Sequence, residues 1–218
     1  MIVAIDGPAG AGKSTIAKII AEKLRFLYID TGAMYRALTL KVIEQDIDIK
    51  DTQRIVEIAA DLSIDLINNP DGSLKVFLDG RDVSRQIREP RITKFVSDIA
   101  KLKGVRDIML KLQRGFGERG NCVLDGRDIG TIVFPDAKNK FYLDAHFKER
   151  VKRRHKELNV SGEDVSAQDV ESDLQNRDSI DSTREIAPLK KAEDAIYIDT
   201  TNISIEEVVN KVLKEIKP

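Results

Sequence analysis

The chain has one cysteine, two histidines and no tryptophan in 218 residues. A lone Cys122 forbids an internal disulfide and fits a reducing compartment. His146 and His155 are too few for a histidine-built metal site or for a hydrolase centred on an imidazole. No apolar run approaches the roughly 18 residues that a membrane span needs. Neither sign of charge is in excess: 36 basic and 37 acidic side chains leave a net charge of −1. Proteins that coat nucleic acid or lie on membranes usually carry a clear basic surplus, so neither partner is expected. The chain opens on Met1-Ile2-Val3-Ala4-Ile5 without a charged leader or small-residue cleavage site. No secretory signal is therefore expected, and a cytoplasmic setting is. What remains is a globular chain, 41% hydrophobic and one-third charged, of a size for one domain with attachments.

Five short apolar runs share one ending. Ile2-Val3-Ala4-Ile5, Leu27-Tyr28-Ile29, Cys122-Val123-Leu124, Phe141-Tyr142-Leu143 and Ala195-Ile196-Tyr197-Ile198 are followed at once by Asp6, Asp30, Asp125, Asp144 and Asp199. Continuous apolar runs of this length predict strands buried on both faces, hence a parallel sheet. Helical periodicity fills most of the gaps, over Gly12 to Arg25, Gly32 to Glu44, Gly104 to Glu118, Ala145 to Leu158 and Ile205 to Ile216. The alternation predicts an α/β fold with helices on both faces of the sheet. Ligands of such sheets bind beyond the carboxyl ends of the strands, which is where the aspartates fall. An aspartate there either caps the next helix or faces the ligand. One segment breaks the pattern. Ile64 to Ile67 and Leu74 to Leu78, joined through Asn69-Pro70-Asp71-Gly72-Ser73, predict an antiparallel hairpin inserted at roughly 61–98.

The segment Gly7-Pro8-Ala9-Gly10-Ala11-Gly12-Lys13-Ser14 matches G-x-x-x-x-G-K-[ST], after a predicted strand and before a predicted helix. Glycines let backbone amides converge on anionic oxygens, and the helix start adds free N–H groups and positive dipole. Lys13 supplies a compact cation for β and γ phosphates, and the Ser14 hydroxyl can ligate Mg²⁺. A nucleoside triphosphate is the expected ligand. No Asn-Lys-x-Asp follows a strand, so guanine-reading switches are excluded. An ATPase motor is usually longer, with a strand ending in an acid, a form that Val123-Leu124-Asp125 has. A small-molecule kinase needs a second anion site. Arg36, one turn after Asp30-Thr31, Arg127 after the third strand, and Arg177 with Arg184 further on supply candidates for planar phosphate recognition. Lys148 to Lys156 holds six basic residues, and Ser161 to Asp173 holds five acids and no base. That pair of segments is either a mobile lid or a solvated helix pair.

Four runs together carry a likeness: the P-loop, Asp30-Thr31-Gly32-Ala33-Met34-Tyr35-Arg36, the run from Asp125-Gly126-Arg127-Asp128 to Pro135, and Ala187-Pro188-Leu189. In order and over essentially the whole chain, they resemble the bacterial cytidylate kinase (CMP/dCMP kinase) family of P-loop nucleoside monophosphate kinases. The resemblance implies a core at about 1–60, 99–147 and 185–218, a monophosphate-binding insertion at about 61–98 and a lid at about 148–184. It implies transfer of the γ-phosphoryl of ATP to CMP or dCMP, with Mg²⁺ as cofactor, by a cytoplasmic monomer with no nucleic-acid or membrane partner. Residue by residue, it implies that Gly7, Pro8, Ala9, Gly10, Ala11, Gly12, Lys13, Ser14 and Thr15 hold ATP. Arg36, Arg127 and Arg184 would grip phosphates. Thr31, Arg106 and Asp128 would read the base, and Ser97, Arg177 and Asp181 the sugar, with Tyr35 lining the cleft. Lys13, Arg127, Arg184 and Arg154 (or its neighbours Arg150 and Arg153) would stabilise the transferring group. Mg²⁺ would sit on Ser14, with Asp30 or Asp128 acting through water. A carboxylate that accepts from cytosine N4 is repelled by the O4 of uracil, which gives Asp128 a physical rationale.

Overall fold

The computed structural model describes residues 1–69, 72–160 and 162–218. Its main sheet contains β1 (Ile2–Asp6), β2 (Leu27–Asp30), β6 (Cys122–Gly126), β7 (Asn139–Asp144) and β8 (Ile196–Asp199), all parallel, in the order β2-β6-β1-β7-β8. The five apolar runs are these strands, and Val3, Ala4, Ile5, Ile29, Val123, Leu124 and Leu143 are fully shielded from solvent. Register aligns their acidic ends: Asp30 pairs with Asp125, and Ile5 with Asp125 on the other side, so Asp6 lies one step beyond. The chain leaves β1 toward β2 on one side and returns as β7 on the other. A crevice opens at that switch point, at the end of β1.

Helices α1 (Lys13–Leu24), α2 (Thr31–Glu44), α5 (Lys103–Glu118), α6 (Phe147–Val160) and α8 (Ile205–Glu215) fall where the periodicity places them. Of three more, two were not expected and the third was one of two alternatives. The first, α3 (Thr52–Asp61), has a side-chain cap from Asp51 and buries Ile55, Ile58 and Ala59, an i, i+3, i+4 pattern. The second, α4 (Pro90–Ala100), begins at a proline in its first turn and packs on α2. The third, α7 (Ala167–Thr183), is polar, with Val170 and Leu174 as its buried apolar residues.

The predicted hairpin is present as β3 (Ile64–Asn68) and β4 (Leu74–Leu78), and a two-residue strand, β5 (Arg81–Asp82), extends it to three strands. Asn69 N–H donates to the Ser73 carbonyl at 2.8 Å to close the loop. The Pro70-Asp71 turn itself lies outside the described residues, as does Ser161 at the start of the acidic stretch. Ion pairs Lys41–Asp79 (2.8 Å) and Arg81–Glu44 fasten this small sheet to α2. A second, small core forms where Val170 and Leu174 of α7 meet Ala9 of the P-loop, with Phe147, Val151 and Leu158 of α6 against them. The helix pair therefore rests directly on the phosphate loop. Among the described residues, no helix is long and apolar enough to cross a membrane.

Candidate active site

A cleft of about 1000 Å³ runs over the carboxyl ends of β1, β2 and β6. At one end lies the P-loop. Gly10 and Gly12 have φ of +77° and +86°, conformations that a β-carbon disfavours. A Cβ on Gly7 would lie 1.9 Å from the Leu143 carbonyl of β7, so only glycine lets the loop leave the sheet here. No side chain caps α1, whereas Asp30, Asp51, Ser166 and Ser204 cap α2, α3, α7 and α8. The first amides of α1 remain available to an anion. Lys13 folds back inside the loop and donates to the Pro8 carbonyl at 2.7 Å. Burial, with Arg127 nearby, lowers its pKa to about 7.

The carboxylate beside Ser14 is Asp125, and neither Asp30 nor Asp128 holds that place. Ser14 Oγ donates to Asp125 at 2.8 Å, and Tyr28 OH donates to the other carboxylate oxygen at 2.7 Å. Asp30 spends its side chain on the amide of Ala33, capping α2. Asp128 faces arginines instead. Burial, with Asp30 adjacent, raises Asp125 to about 6. A divalent cation fits this corner. The Ser14 hydroxyl gives its proton to Asp125, so its lone pairs stay free, and a cation would relieve the repulsion between Asp125 and Asp30. Among the described residues no group of three His, Cys, Asp or Glu could hold a metal alone. The remaining ligands would therefore be phosphate and water, as Mg²⁺ commonly takes.

Asp6 is a further buried carboxylate that the motif reading left unassigned. It accepts from the amides of Ile129 and Gly130 at 2.8 and 2.7 Å. The strand that launches the P-loop thereby anchors the π-turn, Ile129–Val133, that follows Arg127 and Asp128. Burial raises Asp6 to about 7 in spite of those two bonds.

The other end of the cleft is a network of charges. Arg106 of α5 meets Asp128 at 2.5 Å, and Arg184 reaches the other oxygen at 3.5 Å. Asp181 accepts from Arg127 at 2.8 Å and lies 3.6 Å from Arg184. The Arg106 guanidinium stands 5.7 Å from the centroid of the Tyr35 ring. Ala187, with φ of +50°, turns its carbonyl onto Arg184 Nε at 2.7 Å, which accounts for the Ala187-Pro188-Leu189 run. Thr31 donates to the Asp125 carbonyl at 2.7 Å. Ser97 and Arg177 line the same wall, and burial among other arginines lowers Arg177 to about 10. Arg36 also lines it, its pKa lowered by burial. All the residues expected from sequence at this end come together in one cleft.

The six basic residues of α6 divide by helical phase. Lys148, Lys152 and Lys156, at i, i+4 and i+8, face solvent. The arginines turn inward. Arg150 is committed to Asp178, at 2.5 Å, and to the Ala9 carbonyl. Arg153 bonds Thr200. Arg154 lines the cleft with its Nε unpaired and one arm on Glu157. Four of the buried side-chain atoms without a hydrogen-bond partner among the described residues belong to cleft-lining residues: Thr93 Oγ1 and the Nε atoms of Arg106, Arg154 and Arg177. Such donors imply a polar ligand. Sequence reasoning missed Thr93 and Arg88 of the acceptor wall, because α4 and its flank were absorbed into the hairpin. It also missed Ile203, Ile205 and Val208, which line the far side beside the P-loop.

The chain is similar to known proteins along essentially its whole length. A family model described as cytidylate kinase matches residues 3–218. The chain is 51% identical over 215 residues to a cytidylate kinase of Caldanaerobacter subterraneus subsp. tengcongensis, covering 99% of this chain and 94% of that one. It is 48% identical to a cytidylate kinase of Bacillus subtilis, covering 99% and 96%. Among solved structures, an uncharacterized protein from Eubacterium ventriosum shares the fold, with a TM-score of 0.54 and 12% identity over 98% of this chain and 96% of that one.

Proposed function

The chain belongs to the cytidylate kinase family, and on that premise we propose that its cleft transfers the γ-phosphoryl group of ATP to CMP or dCMP. One observation carries the reading: the Asp128 carboxylate, held between Arg106 and Arg184, lines the same cleft as Lys13 and Ser14.

At the donor end, the loop from Gly7 to Thr15 surrounds the ATP phosphates with its backbone N–H groups, of which Pro8 has none, and Lys13 leaves the Pro8 carbonyl to meet the β and γ oxygens. Mg²⁺, which the use of ATP implies, would sit with Ser14 and the phosphates, backed by Asp125 and Asp30 through water, and would spread the charge of the transferring group. At the acceptor end, Arg36 and Arg127 hold the monophosphate. Asp128 accepts from cytosine N4, with Arg106 and Thr31 beside it. Ser97, Arg177 and Asp181 orient the sugar, and Tyr35 walls the base. Arg127, Arg184 and Arg154 surround the group in flight. Of the three α6 arginines, Arg154 suits that role because Arg150 and Arg153 are committed to the P-loop backbone and to Thr200.

No general base is required. A phosphate monoester has a second pKa near about 6, so the acceptor is largely dianionic at neutral pH. Positioning and charge stabilisation supply the catalysis. The α6–α7 pair acts as the lid, excluding water that would otherwise take the phosphoryl group. The enzyme is taken as a monomer, cytoplasmic and without a nucleic-acid or membrane partner, as its near-neutral charge and the family resemblance suggest.

A coupled ADP-release assay over the four ribonucleoside monophosphates tests this. CMP should give rapid release and AMP, GMP and UMP far less. Slow hydrolysis indifferent to every acceptor would instead mark a nucleotide-dependent regulatory ATPase, and equal rates with UMP and CMP would remove the cytosine assignment.

A further inference from the structure

The geometry points to Tyr28 as a positioning residue for the donor end: its phenol fixes the Asp125 carboxylate, Asp125 sets the Ser14 hydroxyl, and the inserted hairpin holds Tyr28 through Asn68. This rests on the reading of Ser14 as the hydroxyl that meets the Mg²⁺ of the nucleotide.

Tyr28 sits in the middle of β2 and is 2% exposed. Its neighbours along and across the sheet are Leu27, Ile29 and Val123, so packing alone would be served by phenylalanine or leucine. The hydroxyl has a specific use. It donates to Asp125 Oδ1 at 2.7 Å, while Ser14 donates to Oδ2 at 2.8 Å. With one oxygen free, the carboxylate could turn about its Cβ–Cγ bond. With both oxygens engaged, its plane is set. The Ser14 proton is then directed at Asp125, and the lone pairs of that oxygen remain for a cation. Tyr28 does not line the cleft, so it acts through Asp125.

Tyr28 is itself held from outside the sheet. β2 is an edge strand, with β6 on one side only. On its open side the Asn68 side chain accepts from Tyr28 N–H at 3.3 Å and donates to the Tyr28 carbonyl at 3.0 Å. One amide thus takes the place of a neighbouring strand at that residue. Asn68 is the last residue of β3, in the inserted small sheet. Contacts run without a gap from the insertion, through Tyr28 and Asp125, to the P-loop serine. The insertion, which also adjoins the acceptor wall, therefore has a tie to the donor end.

Tyr28→Phe removes the hydroxyl and keeps the ring. Calorimetric titration should show Mg²⁺·ATP binding weakened about fivefold to tenfold, the scale of one ordinary hydrogen bond, since Tyr28 acts only through Asp125. Binding of ATP in excess EDTA and of CMP should stay within about twofold of the parent on the same grounds. KM for Mg²⁺·ATP should rise with KM for CMP unchanged. Asn68→Ala should reproduce the pattern at about twofold to threefold, since β2 keeps its pairing with β6, and it carries the test if Tyr28→Phe fails to fold. The inference is overturned if affinities with and without Mg²⁺ fall together, which marks a general structural role, or if neither changes. Parent affinity for ATP that is indifferent to Mg²⁺ would remove the reading of Ser14, and the inference with it.

Discussion

At the donor end of the cleft, the contacts on offer are chiefly backbone amides, the Lys13 ammonium and the Ser14 and Thr15 hydroxyls. At the acceptor end they are Arg106, Arg127, Arg184, Asp128 and Asp181, already paired with one another. The donor end needs only to be filled, because its shape is set by glycine conformations and by close approach to β7. The acceptor end has to exchange: a nucleotide contact made by any of these five replaces or shares an internal ion pair. Exchange of this kind adds modest net affinity, because the internal pairs already offset much of the cost of burial. It gives strong discrimination, because a wrong base leaves buried charges unpaired. On the proposed reading, a phosphate grip common to many nucleotides and a base reader particular to one would stand side by side.

The contrast can be broken first at the backbone. Gly7→Ala drives a methyl into the Leu143 carbonyl and should cost about 3 kcal/mol or more, a fall in Tm of roughly 6–12 °C for a chain this size. Gly12→Ala meets nothing within 4 Å and carries only the strain of its positive φ, so about 1–2 kcal/mol is expected. Equal melting of the two variants would mean that the loop is not shaped by its packing on β7. Lys13→Met should lower kcat by about 10²–10³, as loss of one charge-stabilising donor does elsewhere, while leaving the fold intact. A matching fall in Tm would make Lys13 a structural residue.

On the acceptor side, Arg106→Leu should raise KM for CMP about tenfold or more and leave KM for ATP alone. Movement of both constants together would join the two ends into one unit. The smallest effect is a proton. Burial, with Arg127 nearby, lowers the Lys13 pKa from the ordinary 10.5 to about 7, so between those limits the unfolded chain holds more protons and the contribution of Lys13 to stability rises with pH. Asp6, raised to about 7, works in the opposite sense: its folded form holds more protons above 3.8, and its contribution falls as pH climbs toward 7. ATP phosphates beside Lys13 should restore its charge. Calorimetry at pH 8 in buffers of different ionisation enthalpy should detect proton uptake on ATP binding and none on CMP binding. Proton release would contradict the depressed lysine.

The same difference in construction decides what could be seen in the sequence. Backbone sites leave fixed spacings, so the loop from Gly7 to Ser14 is legible as a motif, and the buried strands are legible as apolar runs ending in aspartate. Of those aspartates, Asp30 caps a helix while Asp6 and Asp125 are locked by bonds across the sheet, a distinction that only the strand order provides. Asp125 carried a signal, an acid closing a buried strand, but it also suited a different class of ATPase. Side-chain sites are gathered from distant segments, and the acceptor residues became visible through family resemblance. α7 was legible only as one of two alternatives, the second member of a helix pair, because it is polar on nearly every face, its buried residues including Arg177 and Asp181. The charge run on α6 was legible, but its division into outward lysines and inward arginines needed the phase of the helix.

On the proposed reading, base recognition rests on Asp128, framed by Arg106 and Arg184, and is independent of the donor end. It is tested most directly by the ratio of kcat/KM for CMP to that for UMP, at saturating Mg²⁺·ATP, in the parent and in Asp128→Ala. A strong preference for CMP is expected in the parent and a drop in that ratio of about tenfold to a hundredfold in the variant, with KM for ATP unchanged. The released arginines would then be free to donate to uracil O4. An unaltered ratio in Asp128→Ala would contradict it.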